Sequence, residues 1–170
     1  MKTRAQLFLG ALLLSIALGG RPGLVEAQAS PDMYGGWIVA EWEWADGQDG
    51  PTPQRGLFLF TESGHYSIMF VIGDAREALV EEPTDADIAA AYNPFVANSG
   101  RYTVSGSTIT YEAYVAKDPE YMSGFAPTGG DGNEQTMTFR MEDGALILTF
   151  GAGGPMGGAT ATLRRPGGGD

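Results

Sequence analysis

The chain has 170 residues, no cysteine, a single histidine and a formal net charge of −11. Thiol chemistry is therefore excluded outright, as is any metal site that needs two histidines. So acidic a surface repels phosphate backbones and anionic lipid, which argues against nucleic acid and membrane surfaces as partners.

The first element is a leader. Lys2 and Arg4 precede an apolar run of about 14 residues beginning at Leu7, short of the roughly 20 that a spanning helix needs. Small residues at cleavage spacing follow, Val25 with Ala27 or Ala27 with Ala29. Residues 1–29 thus read as a secretory signal peptide. With no cysteine to carry a lipid, the mature protein is expected to be secreted or periplasmic, with no membrane insertion after cleavage. Cleavage removes Lys2, Arg4, Arg21 and Glu26, leaving 7 basic against 20 acidic side chains, a net charge of −13. One domain is expected over residues 30–166, enough to bury roughly two-thirds of its unfolded surface. Residues 167–170 read as a disordered tail. Without disulfides, burial must supply the stability.

Alternation punctuated by glycine fills the rest. Strands are predicted at about 36–44, 55–61, 65–73, 100–105, 107–116, 135–142, 145–151 and 158–165. In Thr108–Ala116, Ile109, Tyr111, Ala113 and Val115 share one face; in Thr136–Glu142, Met137, Phe139 and Met141 do. TESGH, SGS and EDG place Gly64, Gly106 and Gly144 where tight hairpins need a left-handed residue.

The first strand, WIVAEWEW (Trp37–Trp44), is ambiguous. A straight strand puts Trp37, Val39, Glu41 and Glu43 on one face and Ile38, Ala40, Trp42 and Trp44 on the other. If Trp37 is inside, Glu41 follows it into the interior. A bend or bulge near Ala40 would instead send Trp37 and Val39 inward, with Trp42 and Trp44 reaching the upper interior or rim.

Between the third and fourth strands, PTDADIAAAYNPF reads as a short helix. Thr84 can cap it, with Asp87 three residues on, and Pro94 ends it. Ile88, Ala91, Tyr92 and Phe95 form a stripe at helical spacing, expected to pack the helix onto the sheet, with a lid over a ligand as the alternative. Eight sequential strands and one helix point to an all-β fold, an eight-stranded antiparallel up-and-down barrel, with a sandwich as the second choice.

The order Gly36-Trp37, RGLFLFTESGHYSIMF, helix, FVANSGRYTVSGSTITYEA resembles the bacterial and fungal lipocalin-like domain proteins. Their G-x-W strand start, GLL-Y-T-x-DG-x-x-S hairpin and Y-x-G-x-Y strand are matched by Gly36 and Trp37, then by Gly56, Leu57, Phe60, Thr61, Gly64 and Ser67. Ser99, Gly100 and Tyr102 follow, and the leucine-rich final hairpin is represented by Leu146 and Leu148. The resemblance, over residues 34–165, implies a lipocalin-like barrel whose tryptophan, Trp37, lies at the closed end under an arginine of the last strand. Arg164 or Arg165 is suited to that role, with Arg164 preferred. It also implies a cavity for a small hydrophobic molecule, and it admits an enzyme, because barrels of this shape include isomerases and cyclases.

His65 is flanked by Glu62, Ser63 and Ser67, but in a tight turn that aims them at water. His65 and Glu41 are accordingly weak candidates for an acid–base group. DGQDG lacks the alternating oxygen ligands and final glutamate of a calcium loop, and both DGQDG and DGNE read as solvated turns. No metal or cofactor is indicated. The candidate ligand-binding residues are Trp42, Phe58, Phe60, Tyr66, Ile68, Phe70, Tyr111, Met137 and Phe139, which either line a cavity or fill the barrel. Three functions remain in order of preference: a secreted binder of a small, largely apolar ligand; an isomerase- or cyclase-type enzyme using one acid–base residue on an apolar substrate; and a filled-core structural or interaction module.

Overall fold

A computed structural model describes residues 31–45, 50–122, 134–152 and 156–167. The signal peptide, the acidic glycine segments at 46–49 and 131–133, and residues 168–170 of the tail lie outside the described residues. Eight antiparallel strands close into a barrel in chain order, each hydrogen-bonded to its sequence neighbours and the first to the last. They are β1 (Gly35–Glu43), β2 (Pro53–Phe60), β3 (His65–Ile72), β4 (Phe95–Ser105), β5 (Thr108–Ala116), β6 (Gln135–Glu142), β7 (Ala145–Phe150) and β8 (Thr160–Arg164). A helix, α1 (Asp85–Tyr92), lies between β3 and β4.

The connections sort by length onto two ends. β2–β3, β4–β5 and β6–β7 are joined by tight turns, helped by Gly64 (φ +77°), Gly106 (φ +60°) and the Asp143–Gly144 pair (φ +49° and +75°). Asp143–Gly144 is the two-residue hairpin whose twist matches that of its strands. The four long connections, 44–52, 73–94, 117–134 and 151–159, all fall at the other end.

The closed end is plugged. Trp37 is buried, its Nε1 donates to Met33 O at 2.9 Å, and the Arg165 guanidinium lies 3.8 Å from its ring centre. Arg165, one residue beyond the expected Arg164, supplies this cation; Arg164 is exposed opposite Ile38 on the outer face. Above the plug, Phe58, Phe60, Ile109, Leu146, Leu148 and Leu163 fill the lower barrel.

Bulges in β1 and β5 set which of their residues face inward. In β1 the register against β8 slips at Ala40: Val39 pairs with Leu163, but Glu41 pairs with Thr162 and Trp42 with Ala161. Trp37, Val39 and Trp42 thereby turn inward, while Glu41 and Glu43 remain exposed. In β5, Ala113 opposes Gly100 and Val115 opposes Ser99, leaving Tyr114 as the extra residue. Val115, expected inside with Ala113, is consequently turned out and 60% exposed.

Two further expectations are corrected. β4 begins at Phe95 rather than near 100, because Pro94 ends the helical segment and Phe95 at once enters the ladder opposite Val71. The helix forms with both halves of its capping box, Thr84 to Asp87 N–H and Asp87 back to Thr84 N–H. However, its apolar stripe does not pack: none of its residues is buried, with Ile88 40% and Tyr92 58% exposed. Hydrogen bonds tie down its C-terminal end. Arg76 donates to Ala91 O, and Lys117 Nζ to Tyr92 O and Asn93 O. Cations at the carbonyl end of a helix also meet its dipole favourably.

Candidate functional site

The upper barrel does not fill. On β3, Ile68 and Phe70 face inward opposite Asn98 and Val96 of β4. On β5 and β6, Tyr111 faces Gln135. The bulge at Tyr114 restores the inward phase beyond it, so Ala116 sits opposite Asn98. With Phe150 and Met156, these side chains leave space between them. They enclose a cavity of about 530 Å³ at the end with the long connections. Phe95, Phe150 and Met156 continue the apolar lining, while Tyr121, Lys117 and Asp118 stand at its border.

Aromatic packing builds one side. Trp42 lies 5.8 Å from Phe70 and 5.3 Å from Phe150, ring centre to ring centre, and Phe58 stacks on Phe70 at 6.1 Å. On β4, β5 and β6 the lining turns hydroxylic and amidic, with Asn98, Tyr111, Gln135 and Thr136, and Tyr111 packs edge-on to the core residue Tyr66 at 5.3 Å. Among the described residues, Tyr66 OH and Asn98 Oδ1 are buried without a hydrogen-bond partner, as are the indole nitrogens of Trp42 and Trp44.

Burial pushes the Tyr66 phenol far above its ordinary value of 10, with the neighbouring Tyr111 and Glu112 adding to the rise. Burial and then Tyr121 do the same to Tyr111. Tyr102, below the cavity, donates to Thr61 O and is pushed up to about 12 by burial and by Tyr34. A phenol whose folded pKa exceeds its unfolded one loses its proton first in the unfolded chain. Its contribution to stability is whole below pH 10 and declines as pH rises, for Tyr102 between 10 and about 12. Chemical denaturation across that range is expected to show this decline, less steep in Tyr102→Phe. Parallel profiles for the two proteins would rule out a part for Tyr102.

Of the sequence candidates, Ile68, Phe70 and Tyr111 line the cavity. Trp42, Phe58, Phe60, Tyr66 and Met137 are buried in the core, and Phe139 is half-buried against it. The two acid–base candidates are not brought together. Glu41 is exposed on β1, whereas His65 is exposed at the closed end, its Nδ1 3.2 Å from Ser63 Oγ. Sequence reasoning missed Asn98, Gln135, Phe95 and Phe150. Phe150 was legible as the inward residue two beyond Leu148, but Asn98 and Phe95 required the true start of β4.

An eight-stranded up-and-down barrel, plugged by a tryptophan under an arginine at one end and hollow at the other, is now defined. The fold is lipocalin-like. No family model matches the sequence, and no curated protein matches it either. Among solved structures, the chain is similar to a lipocalin-like protein from Bacteroides uniformis, at 16% identity over 79% of this chain and 99% of that one, with a TM-score of 0.42. An uncharacterized protein from Bacteroides eggerthii gives 13% identity over 78% and 98%, also with a TM-score of 0.42. A mutant of the fluorescent protein UnaG gives 19% identity over 79% and 96%, with a TM-score of 0.35.

Proposed function

We propose that this protein binds a small, largely apolar molecule in the upper barrel and does so outside the cytoplasm. The observation that supports binding is the cavity itself. Its volume of about 530 Å³ falls within the several hundred Å³ usual for ligand sites, and Phe70, Ile72, Phe95, Val96, Phe150 and Met156 give it a soft apolar wall. The basic start, apolar run and small-residue cleavage spacing of residues 1–29 support export.

Nile red, a neutral dye that brightens in apolar surroundings, tests the binding. A saturable, one-to-one rise in emission is expected from the wild type. Ala116→Trp, which places an indole in the cavity from the end of β5, is expected to weaken it by at least about tenfold. Emission that never saturates, or is indifferent to this substitution, would remove the cavity as the binding site.

A further inference from the structure

Within its border, the cavity lining is apolar except for a few uncharged polar groups, and these constrain its occupant. On the side of Phe70 and Phe150 an apolar surface suits a flat hydrocarbon body. One strand over from Phe70, diagonal to it on β4, Asn98 carries an acceptor, Oδ1, that is buried and meets no donor among the described residues. Natural interiors rarely leave such an acceptor dry, because its lost hydration is not repaid. Tyr66 adds a second buried group in the same state. Tyr66 pairs with Gly100 and Ile68 with Asn98, so Tyr66 and Asn98 are diagonal neighbours on the inner face.

The ionic groups near the cavity are already engaged at its border. Lys117 Nζ donates to Tyr92 O at 2.6 Å and Asn93 O at 2.8 Å, and Asp118 Oδ1 accepts from Glu120 N at 3.0 Å. The inner polar groups, Asn98, Tyr111 and Gln135, carry no charge, and burial keeps the Tyr111 phenol protonated. A carboxylate drawn to their depth would be desolvated without a cation to meet it among the described residues.

Resting on the binding reading above, we infer that the ligand is a neutral amphipathic molecule with an apolar body and an N–H or O–H donor on one edge, received by Asn98 Oδ1 as the amide turns about χ2 from its closed position toward the cavity. Hydrogen bonding there selects among apolar molecules that the hydrophobic wall alone would accept equally.

Three naphthalenes of one shape test this by calorimetry: naphthamide, which is neutral and has a donor; methylnaphthalene, which is neutral without one; and naphthoate, which is charged. Naphthamide is expected to bind the wild type at least about tenfold more tightly than either. Asn98→Leu is expected to reduce its advantage over methylnaphthalene to under about threefold, with methylnaphthalene bound no less tightly than before. Equal binding of naphthamide and methylnaphthalene, tightest binding of naphthoate, or a preference that survives in Asn98→Leu would overturn the inference. So would failure of naphthamide to bind where Nile red saturates. Should Asn98→Leu not fold, the ranking by the wild type still decides. Loss of Nile red binding altogether would remove the binding reading, whereas saturable Nile red without a naphthamide preference removes only this inference.

Discussion

Gly100→Ala is expected to lower the stability of the barrel by about 3 kcal/mol or more. β4 and β5 draw together at the Tyr114 bulge, where Gly100 stands opposite Ala113. A Cβ on Gly100 would run into the Glu112 carbonyl and lie 2.8 Å from Ala113 Cα. Both obstacles are backbone, so no change of rotamer relieves them. The strands would have to part, loosening the ladder that also carries the Arg101–Glu112 ion pair. Thr103→Ala, at an exposed position on the same strand, is expected to change stability by no more than about 0.5 kcal/mol. Urea unfolding followed by tryptophan emission compares the two. Similar midpoints would mean that the close approach can be surrendered freely.

Trp37→Ala is expected to cost about 3–5 kcal/mol, the usual range for emptying a large aromatic site. The indole closes the bottom of the barrel, and its removal leaves a cavity, a Met33 carbonyl without its donor and an Arg165 guanidinium without its ring. Trp37→Phe keeps much of the volume and should lose less. Arg165→Met, which removes the cation and its hydrogen bond to Asp32 O, should cost about 1 kcal/mol. The plug and the hollow occupy opposite ends, so Trp37→Phe should bind Nile red as the wild type does. A changed affinity there would mean that the two ends are coupled.

Most of the barrel could be read from residues that act locally. Alternation in Thr136–Glu142 and the left-handed glycines of the tight turns depend on a few neighbours, and strand and turn positions followed from them. The faces of β1 and β5 were harder, because a bulge is set by the partner strand. Ala40 and Tyr114 are unremarkable letters until Leu163 and Ser99 stand across from their neighbours. The helix misled for a different reason. Ile88 and Tyr92 fall at packing intervals, yet Lys117 and Arg76 fasten the segment through its carbonyls, and the stripe stays in solvent. That error also hid Asn98: a strand begun at residue 100 leaves it in a loop, whereas one begun at Phe95 turns it inward opposite Ile68.

The two ends of the barrel also differ in how the molecule can be held. β1 enters and β8 leaves at the plugged end, where Arg165 NH2 donates to Asp32 O at 2.8 Å, so the entering and departing chain are neighbours. An anchor, reporter or second protein fused beyond Arg165 would hang from the face opposite the cavity mouth. The protein could therefore be fixed to a surface with its opening toward the solution, and the four long connections altered around that opening without disturbing the attachment.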